Sequence, residues 1–307
     1  MFVLVNKLKK HKTIKGLVSI FILLAFFNTC FAKTQQMNTT AIQKKLAALE
    51  VSSGGRMGLF AISADNNVRI QYRAQERFPM CSTSKLIAIS AMLNKSIKDK
   101  HLLQHIITYT KADVEESGYA PATKNHITEG MMVKDLCMAA ITQSDNAAMN
   151  LIMKNLGGPA AVTLFAHSMG DNAFRLDRYE PELNSAIPGD LRDTTTPQAM
   201  AKSLQKLAFG DVLAPKQQTL LLDWMKKNTT GNTRMRAAVP KLWLVGDKTG
   251  TGSYGTTNDV GIIWPPNASP IVIAIYFTQN KKDASPRDDV IASVTRIVIH
   301  SLKNICT

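Results

Sequence analysis

Residues 259–278 read Asp259-Val260-Gly261-Ile262-Ile263-Trp264-Pro265-Pro266-Asn267-Ala268-Ser269-Pro270-Ile271-Val272-Ile273-Ala274-Ile275-Tyr276-Phe277-Thr278. Two β-rich apolar runs, Asp259–Trp264 and Ile271–Thr278, flank a break of Pro, Asn and Ser, which predicts two strands joined by a turn. A further strand is predicted upstream at Leu242–Val245. Towards the N-terminus, 56–63 and 67–73 alternate (Val68, Ile70, Tyr72) around Asp65-Asn66, the pattern of a hairpin. Helical spacing marks both ends: Ile42, Leu46 and Leu49 behind a Thr cap, and Val290, Val294, Ile297 and Leu302 in a helix starting near Arg287. Between Ser82 and Asp223 the signals are mostly helical, broken at Gly157-Gly158, Pro181, Pro188 and Pro197. This order predicts an α/β (α+β) fold. One five-stranded antiparallel sheet is built from both ends of the chain and covered by the terminal helices, with an all-helical lobe inserted. The α/β lobe spans about 33–78 and 228–307, the helical lobe about 79–227, and a small-molecule site is expected in the cleft between them.

The chain has 307 residues, 45% hydrophobic and 20% charged, an ordinary globular composition. That length buries a core without disulfide or metal staples. No fixed-period repeat occurs, which argues against solenoids and propellers. The formal charge of +14 raises the question of a nucleic-acid partner, but five of those charges (Lys7, Lys9, Lys10, Lys12, Lys15) lie in the first 32 residues and leave +9 without them. The remaining lysines are scattered, with no basic run beside aromatics, so no nucleic acid is expected. The basic segment, the apolar stretch Leu17 to Phe27 and the final Ala32 form the pattern of a secretory signal peptide over 1–32, cleaved near Ala32. The apolar run falls short of the ~20 residues a membrane span needs. A lipid-anchor role for Cys30 has poor context in Phe27-Asn28-Thr29. The mature chain, 33–307, is expected in the periplasm or outside the cell, off the membrane.

Cys81, Cys137 and Cys306 remain after the leader, an odd number that forbids a full disulfide framework. A single Cys81–Cys137 bridge stays open. No Cys-x-x-Cys occurs, and His101 and His105 lack a third ligand, so they read as surface helix residues and no metal is expected.

Three short motifs carry chemistry. Ser82-Thr83-Ser84-Lys85 opens a helix whose apolar face is Leu86, Ala88, Ile89 and Met92. Ser and Lys three apart share a helical face, so the amine can reach the hydroxyl and take its proton. The plain alternative, a capping serine and a solvated lysine, wins if this motif stands alone. Ser144-Asp145-Asn146 lies between apolar helical runs and would otherwise read as a polar turn. Lys248-Thr249-Gly250, followed by Thr251-Gly252-Ser253, would otherwise read as a Gly-rich strand end. At residue frequencies near 5%, one prescribed tripeptide arises by chance in roughly 4% of such chains. Two in this order after Ser-x-x-Lys outweigh the plain readings jointly.

These motifs resemble those of class A β-lactamases and penicillin-binding proteins. Arg178-Tyr179-Glu180-Pro181-Glu182-Leu183-Asn184, running to Asp193, is similar to the class A Ω-loop. Gly157-Gly158-Pro159-Ala160, Arg192-Asp193-Thr194-Thr195 and Asn228-Thr229-Thr230-Gly231 extend the likeness over about 36–304. Tyr254-Gly255-Thr256-Thr257-Asn258-Asp259 is similar to the cefotaxime-hydrolysing branch. The resemblance implies a β-lactamase/transpeptidase-like fold and hydrolysis of penicillins and cephalosporins through a serine acyl-enzyme, without cofactor or metal, in a monomer. It implies Ser82 as nucleophile, Lys85 as its proton partner, and Ser144 as proton shuttle to the leaving nitrogen. Glu180 with Asn184 would activate the water, and the acylation base stays open between Lys85 and Glu180. Asn146 would hold the substrate's side-chain amide, and Lys248, Thr249, Gly250 and Thr251 would seat its carboxylate. Backbone N–H groups of Ser82 and Thr251 would form the oxyanion hole, and Tyr119 would wall the cleft mouth. Arg234 would be the second cation of the seat, acting alone because the branch's alternative cation position is Asp288. An Arg178–Asp193 ion pair would clamp the loop. The positions of disulfide partners are Gly252 for Cys81 and Ile89 for Cys137, so the resemblance implies no bridge. Thr251 would favour oxyimino-cephalosporins and admit carbapenems.

Two rivals share the motifs. A penicillin-binding DD-peptidase lacks an efficient deacylation base, which the Glu180 loop argues against. A β-lactam-sensing module acylates once and is expected on a membrane tether.

Overall fold

The computed structural model describes residues 40–65 and 69–303. The expected leader, Val68 and Cys306 lie outside the described residues. The elements in chain order are α1 over 40–53, β1 Arg56–Ser63, β2 Arg69–Tyr72, β3 Phe78–Pro79, α2 Ser84–Lys98, β4 Ile106–Ile107, α3 Lys111–Glu116, β5 Met131–Met132, α4 Val133–Thr142, α5 Asn146–Leu156, α6 Pro159–Ser168, β6 Thr194–Thr195, α7 Pro197–Phe209, α8 Pro215–Lys226, β7 Leu244–Gly252, β8 Thr256–Trp264, β9 Ile271–Thr278 and α9 Asp288–Lys303. The chain divides into two units, Met1–Ala47 and Ala48–Thr307. The described part of the first, 40–47, is helical.

In the second unit the quoted hairpin forms β8 and β9, at the heart of a sheet ordered β2-β1-β9-β8-β7. Every neighbouring pair is antiparallel, so the first and last thirds of the chain complete one sheet. Both of its faces are covered. Phe60 and Ile62, Val260 and Ile262, and Val272, Ala274 and Tyr276 join the large core shared with the helices, including α7. The alternate residues, such as Leu59, Ile273 and Ile275, are also buried, as the two-residue period of a strand requires. Helix α9 packs on β8 and β9.

Helix α2 is buried on every side from Ser84 to Leu93 and packs against α4, α5, α6 and α8. A helix buried all round is an internal rod, more enclosed than its one apolar face predicts. On α9 the buried positions are Val290, Ile291, Ala292, Val294, Thr295, Val298 and Ile299, with Ile297 half-buried at the flank.

Three expectations change. The Lys248 motif does not follow a strand at Leu242–Val245: β7 begins at Leu244 and runs through it to Gly252. Gly246, Gly250 and Gly252 weaken the strand signal there. Pro197 starts α7 instead of breaking a helix. It stands at the first helical turn, where a missing N–H costs nothing, behind a Thr196 cap that accepts from Ala199 N at 3.2 Å. His101 and His105 are exposed, as expected, but flank a short 3-10 turn. Two-residue pairs, β3 with β6 and β4 with β5, are too short for a periodicity signal.

Candidate active site

Ser82 stands in the single turn Cys81–Thr83 that leads into α2. Cys81 has φ +48°, a left-handed conformation that costs a non-glycine residue energy and clusters at functional sites. One turn on, Lys85 Nζ lies 2.6 Å from Ser82 Oγ. Lys85 is 0% exposed, which removes the solvated-lysine alternative. Its Nζ also meets Glu180 Oε1 at 2.5 Å, Asn146 Oδ1 at 2.7 Å and Ser144 O at 3.2 Å. An ammonium has three protons for these four acceptors.

Ser144-Asp145-Asn146 is a polar turn, and it lies against both motif lysines. Asp145 caps α5, accepting from Ala148 N at 2.8 Å, and binds Ala122 N and Thr123 N at 2.9 and 3.0 Å. That anchored turn presents Ser144, at φ +59°, and Asn146. Ser144 bridges the two motif lysines: its carbonyl faces Lys85, and its Oγ lies 3.0 Å from Lys248 Nζ. Asn146 is held at both ends of its amide, by Lys85 and by Ser117 O at 3.0 Å. Its backbone N–H donates to Tyr119 O at 2.8 Å, while the Tyr119 side chain is exposed.

Glu180, buried, completes the cluster from the opposite loop, with Oε1 3.3 Å from Ser82 Oγ. Asn184 Nδ2 donates to Glu180 Oε2. Asn150 on α5, which the sequence reading missed, binds the Glu180 backbone twice, accepting from its N–H at 2.9 Å and donating to its C=O at 2.8 Å. The available signal was its place one turn beyond Asn146, on the same helical face. The loop's ends meet as expected: Arg178 Nε donates to Asp193 Oδ2 at 2.5 Å, and Asp193 Oδ1 takes the N–H groups of Asp177 and Arg178 at 2.7 and 3.0 Å.

Strand β7 supplies the fourth wall. Lys248, 0% exposed, donates to Ser144 Oγ and to Thr249 O. Burial, then the nearby Lys85 charge, push its amine well below the usual lysine range. Thr249 Oγ1 is 2.5 Å from Thr230 Oγ1, a second partner missed in sequence. Glycine is required here because β7 runs against the nucleophile turn. A Cβ at Gly250 would meet Met80 O at 2.7 Å, and one at Gly252 would meet Asn184 O and Cys81 Sγ at 2.6 Å. Cys81 and Cys137 are both free and buried, so the Cys81–Cys137 bridge left open above is absent.

Arg234 reaches the same strand and carries a counter-ion. Its Nε donates to Asp288 Oδ1 at 2.7 Å, its Nη1 to Gly250 O and Asn258 O at 2.9 Å each, and its Nη2 to Thr251 Oγ1 at 2.7 Å. Asp288, expected only as a lost cation, is Arg234's counter-ion. The guanidinium therefore meets the site through the Thr251 hydroxyl.

The ensemble joins a hydroxyl to an amine and a carboxylate that can exchange its proton. Beside it lies a lysine- and threonine-lined strand suited to an anion.

The chain matches the model of the beta-lactamase enzyme family over residues 41–302. It is similar to the beta-lactamases CTX-M-97 and Toho-1 of Escherichia coli, each 50% identical over 267 residues, 87% of this chain and 91% of the relative. A beta-lactamase of Citrobacter koseri is 48% identical over 288 residues, 93% of this chain and 97% of that one. Among solved structures, the beta-lactamase of Desulfarculus baarsii aligns with TM-score 0.84 at 48% identity, over 86% of this chain and 98% of that one. A variant of the last common ancestor of Gram-negative class A beta-lactamases aligns with TM-score 0.83 at 50% identity, over 86% and 99%. The chain belongs to the β-lactamase enzyme family, with class A relatives across most of its length, and is a β-lactam hydrolase.

Proposed function

We propose that Ser82 attacks the β-lactam carbonyl and that the acyl-enzyme so formed is hydrolysed by water activated at Glu180. The observation that carries this is Lys85 Nζ, 2.6 Å from Ser82 Oγ and 2.5 Å from Glu180 Oε1. The Ser82 proton thus has two acceptors in reach, Lys85 directly and Glu180 Oε1 at 3.3 Å. A proton passed from Lys85 to Glu180 frees the amine lone pair to receive it. Ser144, on Lys248, returns a proton to the leaving nitrogen. The N–H groups of Ser82 and Thr251 stabilise the oxyanion. Lys248, Thr249, Thr251 and, through Thr251, Arg234 seat the substrate carboxylate. Asn146 and Tyr119 flank the substrate's side chain, which must share Asn146 with Lys85 and Ser117. After acylation Glu180, set by Asn184, takes a proton from water, and the serine ester is cleaved.

The finer reading is an exported monomer acting on penicillins and oxyimino-cephalosporins. No described helix is long and apolar enough to cross a membrane. Sub-stoichiometric protein with nitrocefin tests the reaction: many turnovers per protein are expected, and a single burst would indicate a DD-peptidase or sensor. Glu180→Ala is expected to accumulate adduct on Ser82 by mass spectrometry. Sustained turnover without adduct in that variant overturns the role of Glu180.

A further inference from the structure

The two oxyanion donors proposed above stand on different elements, Ser82 on the turn Cys81–Thr83 and Thr251 on β7. One buried side chain joins those elements. Asn258 on β8 is 0% exposed. Its Nδ2 donates to Pro79 O at 2.9 Å and to Met80 O at 3.1 Å, the last two carbonyls before the turn. Its Oδ1 accepts from Phe277 N of β9 at 3.4 Å. Only the amino end of an amide can face two carbonyls, which fixes the orientation of this side chain. The Asn258 backbone belongs to the other donor's side. In the antiparallel register it lies opposite Gly250, the residue immediately before Thr251. Arg234 Nη1 ties the same two residues together, donating to Gly250 O and Asn258 O at 2.9 Å each.

The bonds to the carbonyls act on the nucleophile's backbone. The Met80 oxygen lies in the plane of the Met80–Cys81 peptide, so its direction is coupled to the φ rotation of Cys81. Cys81 holds φ +48°, in a left-handed region that is small and costly for a non-glycine residue. Holding it there directs the next peptide, whose N–H belongs to Ser82. Thr83 N at 3.2 Å and Thr83 Oγ1 at 2.8 Å also donate to Met80 O, but both move with the turn itself. Asp193 O, which accepts from Met80 N at 2.9 Å, grips the preceding peptide. Asn258 holds the carbonyl from outside the turn, within the sheet. Gly250 permits the approach, since a Cβ there would meet Met80 O at 2.7 Å.

We propose that Asn258 is a positioning residue that sets the separation of the two oxyanion donors. Its side chain fastens the turn that carries the Ser82 N–H, and its backbone is in register with the strand that carries the Thr251 N–H. A donor aimed at the oxyanion acts on the transition state more than on the bound substrate, so displacing one costs rate more than binding.

The proposal rests on the reading of the Ser82 and Thr251 N–H groups as oxyanion donors, and its test separates the two. Phenylboronic acid forms a tetrahedral adduct on a serine oxygen and carries no carboxylate, so it probes the hole apart from the seat. Two variants are compared, Asn258→Ala and Asn258→Asp, the second keeping the shape but setting an acceptor against both carbonyls. In each, kcat for nitrocefin per acylatable Ser82 is expected to fall at least about tenfold, with KM within about threefold of wild type. The inhibition constant of phenylboronic acid is expected to rise by about the factor by which kcat falls. Loss of folded protein alone leaves both kcat per site and that constant unchanged. Variants with wild-type values of both overturn the proposal. Where neither variant folds, the intact wild-type protein decides. In its heteronuclear NMR spectra, adduct formation is expected to shift the Asn258 side-chain amide together with the Ser82 and Thr251 N–H groups. An Asn258 amide that stays in place while both N–H groups shift overturns the proposal and leaves the oxyanion reading standing. If the adduct forms and neither N–H group shifts, the oxyanion reading fails and the proposal falls with it.

Discussion

Asn150 holds Glu180 by its backbone, taking the N–H at 2.9 Å and giving to the C=O at 2.8 Å. The carboxylate beside Ser82 is therefore set from α5, a helix of the same buried bundle that carries Asn146. Removing that grip tests whether the loop or the helix places the group.

Asn150→Ala removes two hydrogen bonds of ~1 kcal/mol each, a deacylation rate lower by roughly 10–30-fold. Acylation of Ser82 is expected to change less, so adduct accumulates in stopped-time mass spectrometry. Unchanged steady-state kcat with no adduct would count against the placement.

The Arg178–Asp193 clamp makes a prediction about stability. Asp193 is 0% exposed and the Arg178 side chain 19% exposed. Asp193→Asn removes the nearer counter-ion of a mostly buried guanidinium and leaves it only Asp190 at 3.9 Å, a cost of up to about 3 kcal/mol. In a domain of this size that lowers Tm by roughly 6–12 °C. Asn tolerates the φ of +54° at this site, so backbone strain does not explain the loss. A Tm within about 2 °C of wild type would reduce the clamp to a surface pair.

Arg234→Ala takes away the donor on Thr251 Oγ1 and a cation beside the seat. A charged hydrogen bond is worth ~1.5–3 kcal/mol, so kcat/KM for anionic β-lactams is expected to fall roughly ten- to a hundredfold. Because Asp288 offsets much of the charge, Asp288→Asn is expected to lower KM. Steady-state kinetics on one cephalosporin check both, and an unchanged kcat/KM in Arg234→Ala rejects its part in the seat.

Asp113 on α3 supplies a pH test. Lys154 Nζ, at 2.7 Å, is the main cause that lowers its carboxyl to about 2. A depressed carboxylate stabilises the fold above its unfolded value of ~3.9, and that contribution disappears as pH falls through the folded value. Lys154→Met, which removes a half-exposed partner, is expected to cost under ~1 kcal/mol near neutral pH. The Tm gap from wild type should hold down to about pH 4 and close towards pH 2. A gap independent of pH refutes the pairing.

The readable parts of this molecule were those with local signals. Apolar runs around Pro265–Pro270 specify β8 and β9, and three polar motifs specify Ser82, Ser144 and Lys248. Partners set by tertiary contact left no such mark. Asn150 looks like any helical asparagine, Thr230 like any turn residue, and Asp288 like a helix-start acid, until folding brings each to its contact. The β7 boundary was misplaced because glycines that permit close approach to Met80 and Asn184 also erase strand propensity.

Helix α2, enclosed on every side, has no route by which its amides from Leu86 to Leu93 reach water through a local fluctuation. Their hydrogen exchange should report only global unfolding, the slowest class in the protein. Since Lys85 stands in the first turn of that same rod, its contact with Ser82 survives every partial opening the loops undergo. Thermal loss of acylation at Ser82 and cooperative melting of the domain should then share one midpoint.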